Sequence, residues 1–117
     1  MSFESLKEEI SWADFQRLDL RAGTIQSAQL NAKAKQPALV LEIDFGPLGV
    51  LTSSAQLTVN YSADDLPGQQ VICVVNFPSK RIAGVKSQCL VLGVLCPKQG
   101  TVLLRPTHPV ENGSSIG

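Results

Sequence analysis

Leu18-Asp19-Leu20-Arg21-Ala22-Gly23-Thr24-Ile25-Gln26-Ser27-Ala28-Gln29-Leu30 repeats with a period of two. Leu18, Leu20, Ala22, Thr24 and Gln26 fall on one face, and Asp19, Arg21, Gly23 and Ile25 on the other, the pattern of a half-buried strand. The run is long for one strand. Gly23 in its middle predicts a bend or bulge, which small barrels need at their corners.

Downstream, residues 31–37 read as a polar loop holding Lys33 and Lys35. Residues 38–45 return to strand, with Gly46-Pro47 as the turn and 50–53 as the hairpin partner. Residues 54–61 fit either a loop or a short helix, and Ser62-Ala63-Asp64-Asp65-Leu66 fits a capped turn ended by Pro67-Gly68. The apolar run 70–76 predicts a strand that Pro78 stops, because proline has no donor for the ladder. A compact basic loop follows, carrying Lys80, Arg81 and Lys86, with Gly84 where the backbone needs a positive φ. Strands are expected over 90–95 and 101–105, then an extended tail with Val110 and Ile116 as apolar anchors.

Upstream, the spacing of Phe3, Leu6 and Ile10 predicts an amphipathic turn or two over residues 2–10. Ser11 followed by Asp14 predicts an N-capped helix over 12–16 with Trp12 and Phe15 facing inward. A helix so short needs a partner surface, either its own barrel or a second subunit. Five or so short strands with little helix mean an all-β antiparallel barrel or sandwich, and the bend in the first strand favours the barrel.

The chain has 117 residues, 44% hydrophobic and 17% charged, which fits one domain with a real core and excludes disorder. Residues 1–10 form an N-terminal segment and 11–117 the domain, tail included. No apolar run approaches a membrane span, and the acidic N-terminal stretch argues against export, so a cytoplasmic location is expected. Cys73, Cys89 and Cys96 sit in apolar runs without Cys-x-x-Cys spacing and read as reduced core residues.

Net charge is zero, but the charges are sorted. Glu4, Glu8, Glu9 and Asp14 face only Lys7 in the first fourteen residues, and what remains has nine bases and six acids. No acid occurs between Asp65 and Glu111, while Lys80, Arg81, Lys86, Lys98 and Arg105 do. Such a one-signed surface attracts anions whatever the global sum.

No catalytic, phosphate-loop, metal or cofactor motif is present. His108 is the sole histidine and lies in the tail. Glu42 and Asp44 share a face, but pairing with Arg21 or edge solvation suits them better than acid–base work. The aromatics are few and mostly suited to packing, with only Tyr61 and Phe77 candidates for the vicinity of the basic loop. That composition points to recognition of folded RNA by backbone charge and shape rather than to a platform for loose strands.

Several blocks resemble a known family. Asp19-Leu20-Arg21-Ala22-Gly23-Thr24-Ile25, Ile43-Asp44-Phe45-Gly46, Asn76-Phe77-Pro78-Ser79-Lys80-Arg81-Ile82-Ala83-Gly84-Val85-Lys86-Ser87, and Val102 through Pro106 with Asn112-Gly113 are similar, in order, to the OB-fold tRNA-binding domain family. Asn31 to Ala38 replaces the His-Pro-x-Ala-Asp loop of synthetase-attached members. With Asp44-Phe45-Gly46-Pro47 and Thr52-Ser53-Ser54-Ala55-Gln56, it resembles the free-standing, CsaA-like bacterial branch. The resemblance covers residues 11–117. Cys89 departs from it, standing where many relatives have Gly before a Met.

The resemblance implies a five-stranded Greek-key barrel, a homodimer, and binding of tRNA by shape. It also implies an alternative, a chaperone for unfolded or export-bound polypeptides. Carried over by position, Lys80, Arg81 and Lys86 would neutralise phosphates, and Asn76, Ser87, Ser53, Ser54 and Gln56 would meet sugar and phosphate oxygens. Lys33 and Lys35 would extend that surface. Each serine equally fits a hydroxyl satisfying backbone at a turn or strand end. Arg21 and Asp44 are expected to pair and fix register.

Overall fold

The computed structural model describes residues 5–117. Strand β1 (Leu20–Leu30) is the spine, pairing antiparallel with β2 (Leu39–Asp44) over its second half and with β4 (Gln70–Val74) over its first. Strand β3 (Val50–Ala55) adds beyond β2, and β7 (Leu90–Val91) beyond β4, giving the order β3-β2-β1-β4-β7. The sheet curls into a nearly closed barrel of the OB-like type. Two hairpins stand off it: β5 (Lys80–Ile82) with β6 (Val85–Ser87), and β8 (Gly93–Cys96) with β9 (Gly100–Leu103).

The corner in β1 is a bulge, and it falls between Ile25 and Ser27 rather than at Gly23. It carries the inward face from Ile25 to Ala28, an offset of three that strict alternation cannot give. Gly23 has a different task. A Cβ there would stand 2.7 Å from Cε1 of the Phe45 ring and 2.8 Å from Cγ2 of Ile43. The missing side chain is the space into which Phe45 packs. Ile25, Leu39, Leu41, Ile43, Phe45, Leu66, Val71 and Cys73 form the sealed core.

The barrel's last seam, between β3 and residues 87–89, is laced through side chains. Gln88 N–H donates to the Thr52 carbonyl at 2.7 Å, and Thr52 N–H donates to Gln88 Oε1 at 2.9 Å. Ser53 Oγ donates to the Cys89 carbonyl at 2.9 Å, and Ser54 N–H donates to Ser87 Oγ at 3.1 Å. Closure therefore depends on the residues that lead out of the β5–β6 hairpin.

Helix α1 (Trp12–Gln16) carries the expected capping box between Ser11 and Asp14. Trp12, however, is 66% exposed and stacks on Phe15 at 5.3 Å between ring centroids instead of facing inward. Residues 5–10 show no helical turn, with Leu6 and Ile10 exposed; Phe3 lies outside the described residues.

The tail also differs from expectation. Val110 and Ile116 stay partly exposed, and polar bonds hold the tail instead. It fills the edge of β1 that β2 leaves free: Ala22 N–H donates to the Ser114 carbonyl, and the Gly113 and Ile116 N–H groups donate to the Ala22 and Leu20 carbonyls. Asn112 accepts from Thr24 Oγ1 at 2.7 Å. Arg21 belongs to this seam. Its Nε meets Asp19 Oδ1 at 2.6 Å and its Nη1 donates to the Gly113 carbonyl, so the expected Arg21–Asp44 pair does not form. Asp44 instead accepts from Gly46 N–H and shapes the β2–β3 turn. The expected strand over 90–95 is broken at Leu92. Residues 57–61 form a turn, with Tyr61 N–H donating to the Leu57 carbonyl.

Candidate nucleic-acid interface

The basic loop is itself a hairpin. Ala83 (φ 46°) and Gly84 (φ 84°) make a two-residue turn with both residues left-handed, a geometry that matches the right-handed twist of the flanking strands. Gly84 meets the sequence expectation; Ala83 is strained there. Two bonds hold it: Asn31 Nδ2 donates to the Ala83 carbonyl at 3.4 Å, and Arg81 Nη1 donates to the Gly84 carbonyl at 3.1 Å.

The hairpin sorts its side chains by face. Lys80 lies opposite Ser87, Arg81 opposite Lys86, and Ile82 opposite Val85. Alternation puts Lys80, Ile82, Val85 and Ser87 on the face turned to the barrel and Arg81 with Lys86 on the outer face. Like charges directly across a ladder repel. Among the described residues the ion pair is Arg21 with Asp19, so no carboxylate is paired with Lys33, Lys35, Lys80, Arg81 or Lys86. The hairpin is a strained, cation-bearing finger.

Two clefts flank it. The larger, about 700 Å³, brings Lys33, Lys35, Ser54 and Gln56 together with Ile82 and Ala83 of the hairpin tip. Lys33 reaches over the turn, its Cδ within 3.7 Å of where a Gly84 Cβ would stand. The smaller, about 380 Å³, is bounded by Ser54, Phe77, Lys80, Ser87 and Leu90. Residues from three separated stretches thus converge on one side of the barrel mouth.

Others in the expected set do different work. Ser53 is 1% exposed with its hydroxyl committed to Cys89, which makes it a seam residue and takes it off the surface. Asn76 uses both ends of its amide on the chain before β1, accepting from Asp19 N–H at 2.9 Å and donating to the Arg17 carbonyl at 2.7 Å. Ser87 accepts from Ser54 N–H while still reaching the smaller cleft. Tyr61 lines neither of these clefts and accepts from Leu103 N–H at 3.0 Å. Arg105 lies in another cleft, with Thr24, Gln70 and His108, so the acid-free stretch does not make one continuous basic face.

The hairpin pairing, and the apolar walls made by Phe77, Ile82 and Leu90, escaped the sequence reading. The alternation Lys80-x-Ile82-Ala-Gly-Val85-x-Ser87 carried that signal, muted because Ala stands where Asn, Asp or Gly usually opens such a turn.

Cys73 and Cys89 are buried free thiols, whereas Cys96 is half-exposed, against its expected place in the core. The hydrogen bond to Cys89, then burial, push the Cys73 thiol far above its ordinary value of 9.0, so it stays neutral. Among the described residues no cluster of His, Cys, Asp and Glu could hold a metal, and no helix is long and apolar enough to cross a membrane.

Residues 20–115 match a family model described as "Putative tRNA binding domain". The methionine–tRNA ligase of Methanococcoides burtonii is 32% identical over 110 residues, 94% of this chain but 16% of that enzyme. That of Flavobacterium psychrophilum is 33% identical over 114 residues, again 16% of the enzyme, so the chain spans about a sixth of the ligases it matches. Among solved structures, the chaperone CsaA of Bacillus anthracis str. Ames superposes with a TM-score of 0.90 at 48% identity, over 94% of this chain and all of that one. The CsaA chaperone of Picrophilus torridus gives 0.87 at 41%, over 93% of this chain and all of that one.

Proposed function

This chain belongs to the tRNA binding domain family, and from that premise we propose that it is a non-catalytic protein that binds folded tRNA as a homodimer, by shape and backbone charge. One observation carries the reading. The β5–β6 hairpin presents Arg81 and Lys86 side by side, without carboxylate partners among the described residues, and Lys33 leans over its turn. Phosphate oxygens would relieve that repulsion and release counterions as they dock. Lys35, Lys80, Ser54, Gln56 and Ser87 edge the adjoining clefts, where they would position the ribose–phosphate chain. The free thiols of Cys73 and Cys89 favour a reducing, cytoplasmic setting.

The homodimer reading rests on Leu6, Ile10 and Trp12, an exposed apolar strip along the N-terminal segment that a twofold partner would cover. The test of function is tRNA binding across a salt series by the wild type and by a Lys80→Ala/Arg81→Ala variant. The wild type should bind with a steep salt dependence, and the variant should lose affinity and about two units of log–log slope. Wild-type affinity no better than that of an acidic protein of equal size would end the proposal.

A second reading has its own support. Two CsaA chaperones are structural neighbours, and Val59, Val94 and Leu95 are strongly exposed around the β8–β9 hairpin. A polypeptide client would use that apolar area, and its binding would survive both high salt and the double substitution.

A further inference from the structure

We propose that the smaller cleft beside the hairpin is a seat for one unstacked nucleotide, its base on Phe77 and its phosphate on Lys80. The RNA recognised would then be one with an unpaired nucleotide next to its folded body. This rests on the RNA-binding reading above and narrows it.

Phe77 is the key observation. It is a large aromatic left 49% exposed, and among the described residues the stacked ring pair is Trp12 with Phe15, so its ring has no aromatic partner. Its neighbours in the chain are held on both sides: the Asn76 side chain is tied by two bonds to the chain before β1, and the Pro78 ring locks its own φ. An apolar side chain held out this way is a preorganised platform. The cleft it walls measures about 380 Å³, towards the lower end of the roughly 300–1,000 Å³ of small-ligand sites. Ile82 and Leu90, 36% and 47% exposed, supply further apolar wall.

The polar groups sit where a nucleotide needs them. Lys80 and Ser87 are directly opposite on the inner face of the hairpin and both reach this cleft. A cation and a hydroxyl beside an aromatic face match phosphate, ribose and base in turn. A free apolar peptide would find the aromatic wall but have no use for the lysine. A paired base cannot enter, because it is stacked above and below and its groove edge is recessed. The outer-face cations, Arg81 and Lys86, remain available for the phosphates of the adjoining helix.

The test uses the full chain with a short apolar peptide and three RNAs: a tRNA, a blunt-ended RNA duplex, and the same duplex with a short single-stranded 3′ overhang. The overhang should raise wild-type affinity by about 5- to 150-fold, the value of stacking one base. Phe77→Ala should erase that gain and leave blunt-duplex affinity unchanged, while Phe77→Trp should keep it and show fluorescence quenching on binding. Thermal melts establish that each variant is folded. Equal wild-type affinity for both duplexes, or an overhang gain that survives Phe77→Ala, overturns the cleft proposal even if tRNA still binds. Loss of a bound apolar peptide in Phe77→Ala, with RNA affinity untouched, assigns the cleft to polypeptide and overturns it too. Failure of every RNA, tRNA included, to bind the wild type overturns the RNA-binding reading itself.

Discussion

Arg81 stands directly across the β5–β6 ladder from Lys86, and among the described residues neither is paired with a carboxylate. A short hairpin closed by a strained Ala83-Gly84 turn would ordinarily place opposite charges there. Two cations at that position trade local stability for an outward field, and the trade can be measured from both sides.

Lys86→Glu should convert the repulsion into an attraction. The hairpin should gain about 0.2–1 kcal/mol, read by amide exchange at low salt, and the gain should fade as salt screens it. The same variant should bind tRNA more weakly than the wild type. Gains in both stability and affinity would contradict the hairpin's role.

Ser53→Ala should act in the opposite sense. It leaves the buried Cys89 carbonyl without its donor, costing about 1–3 kcal/mol in a urea titration. The folded variant should bind tRNA like the wild type, because Ser53 does not reach the surface. Lys80→Ala/Arg81→Ala removes both the Arg81 bond to the Gly84 carbonyl and the repulsion with Lys86, opposing effects confined to an exposed hairpin, so the urea midpoint should move by no more than about 0.5 kcal/mol. The two sets of residues thus separate stability from affinity.

Gly23→Ala should destabilise the barrel by about 1–3 kcal/mol, since the added methyl would press on the Phe45 ring and Ile43 at 2.7–2.8 Å. Pairing it with Phe45→Leu, which withdraws the ring, should recover part of the loss. A fully additive pair in a double-mutant cycle would show that no contact links the two sites.

Stability should fall as the medium becomes alkaline. The Cys73 thiol is raised far above 9.0 while the neighbouring Cys89 thiol is lowered, so above pH 9.0 the folded pair still keeps one proton that the unfolded chain releases. The contribution is complete below pH 9.0 and is lost progressively as pH rises beyond it. Urea midpoints taken on both sides of that pH should show the decline, and Cys73→Ala, less stable throughout, should show a shallower one.

Trp12 is the sole tryptophan, and it is largely exposed in one chain. In a homodimer that covers the N-terminal segment, its emission should move to shorter wavelength as concentration rises. Sedimentation should give twice the chain mass, and Trp12→Glu should return it to the monomer. A wild type that sediments as a monomer at all concentrations would exclude the dimer.

Much of the fold was legible because it follows from local rules. The long strand β1 and the Ser11–Asp14 cap each need only their own neighbours in the chain, and both appear, although a bulge after Ile25 breaks the expected alternation along β1. The site was legible only in part. Lys80, Arg81 and Lys86 were found as a cluster because they are close in sequence. Ser53 and Ser87 looked alike on paper, yet one faces the core and the other a cleft. Which way a strand-end hydroxyl turns depends on where the barrel seam falls, and no local pattern encodes that. Arg21 shows the same limit: its partners are Asp19 and Gly113, the latter supplied by a tail that returns from the far end of the chain.

The sequence by itself determined the strands β1 to β4, the sorting of charge, the loop rich in cations and the family, since periodicity, composition and motif order are properties of the chain alone. Only the tertiary structure decided that the loop is a hairpin with two cations face to face. It also decided that Lys33 joins that hairpin from a distant loop, and that Phe77 is left open beside Lys80. Those relations arise from closing the barrel, which brings segments far apart in sequence into contact and fixes the side of the wall on which each residue emerges.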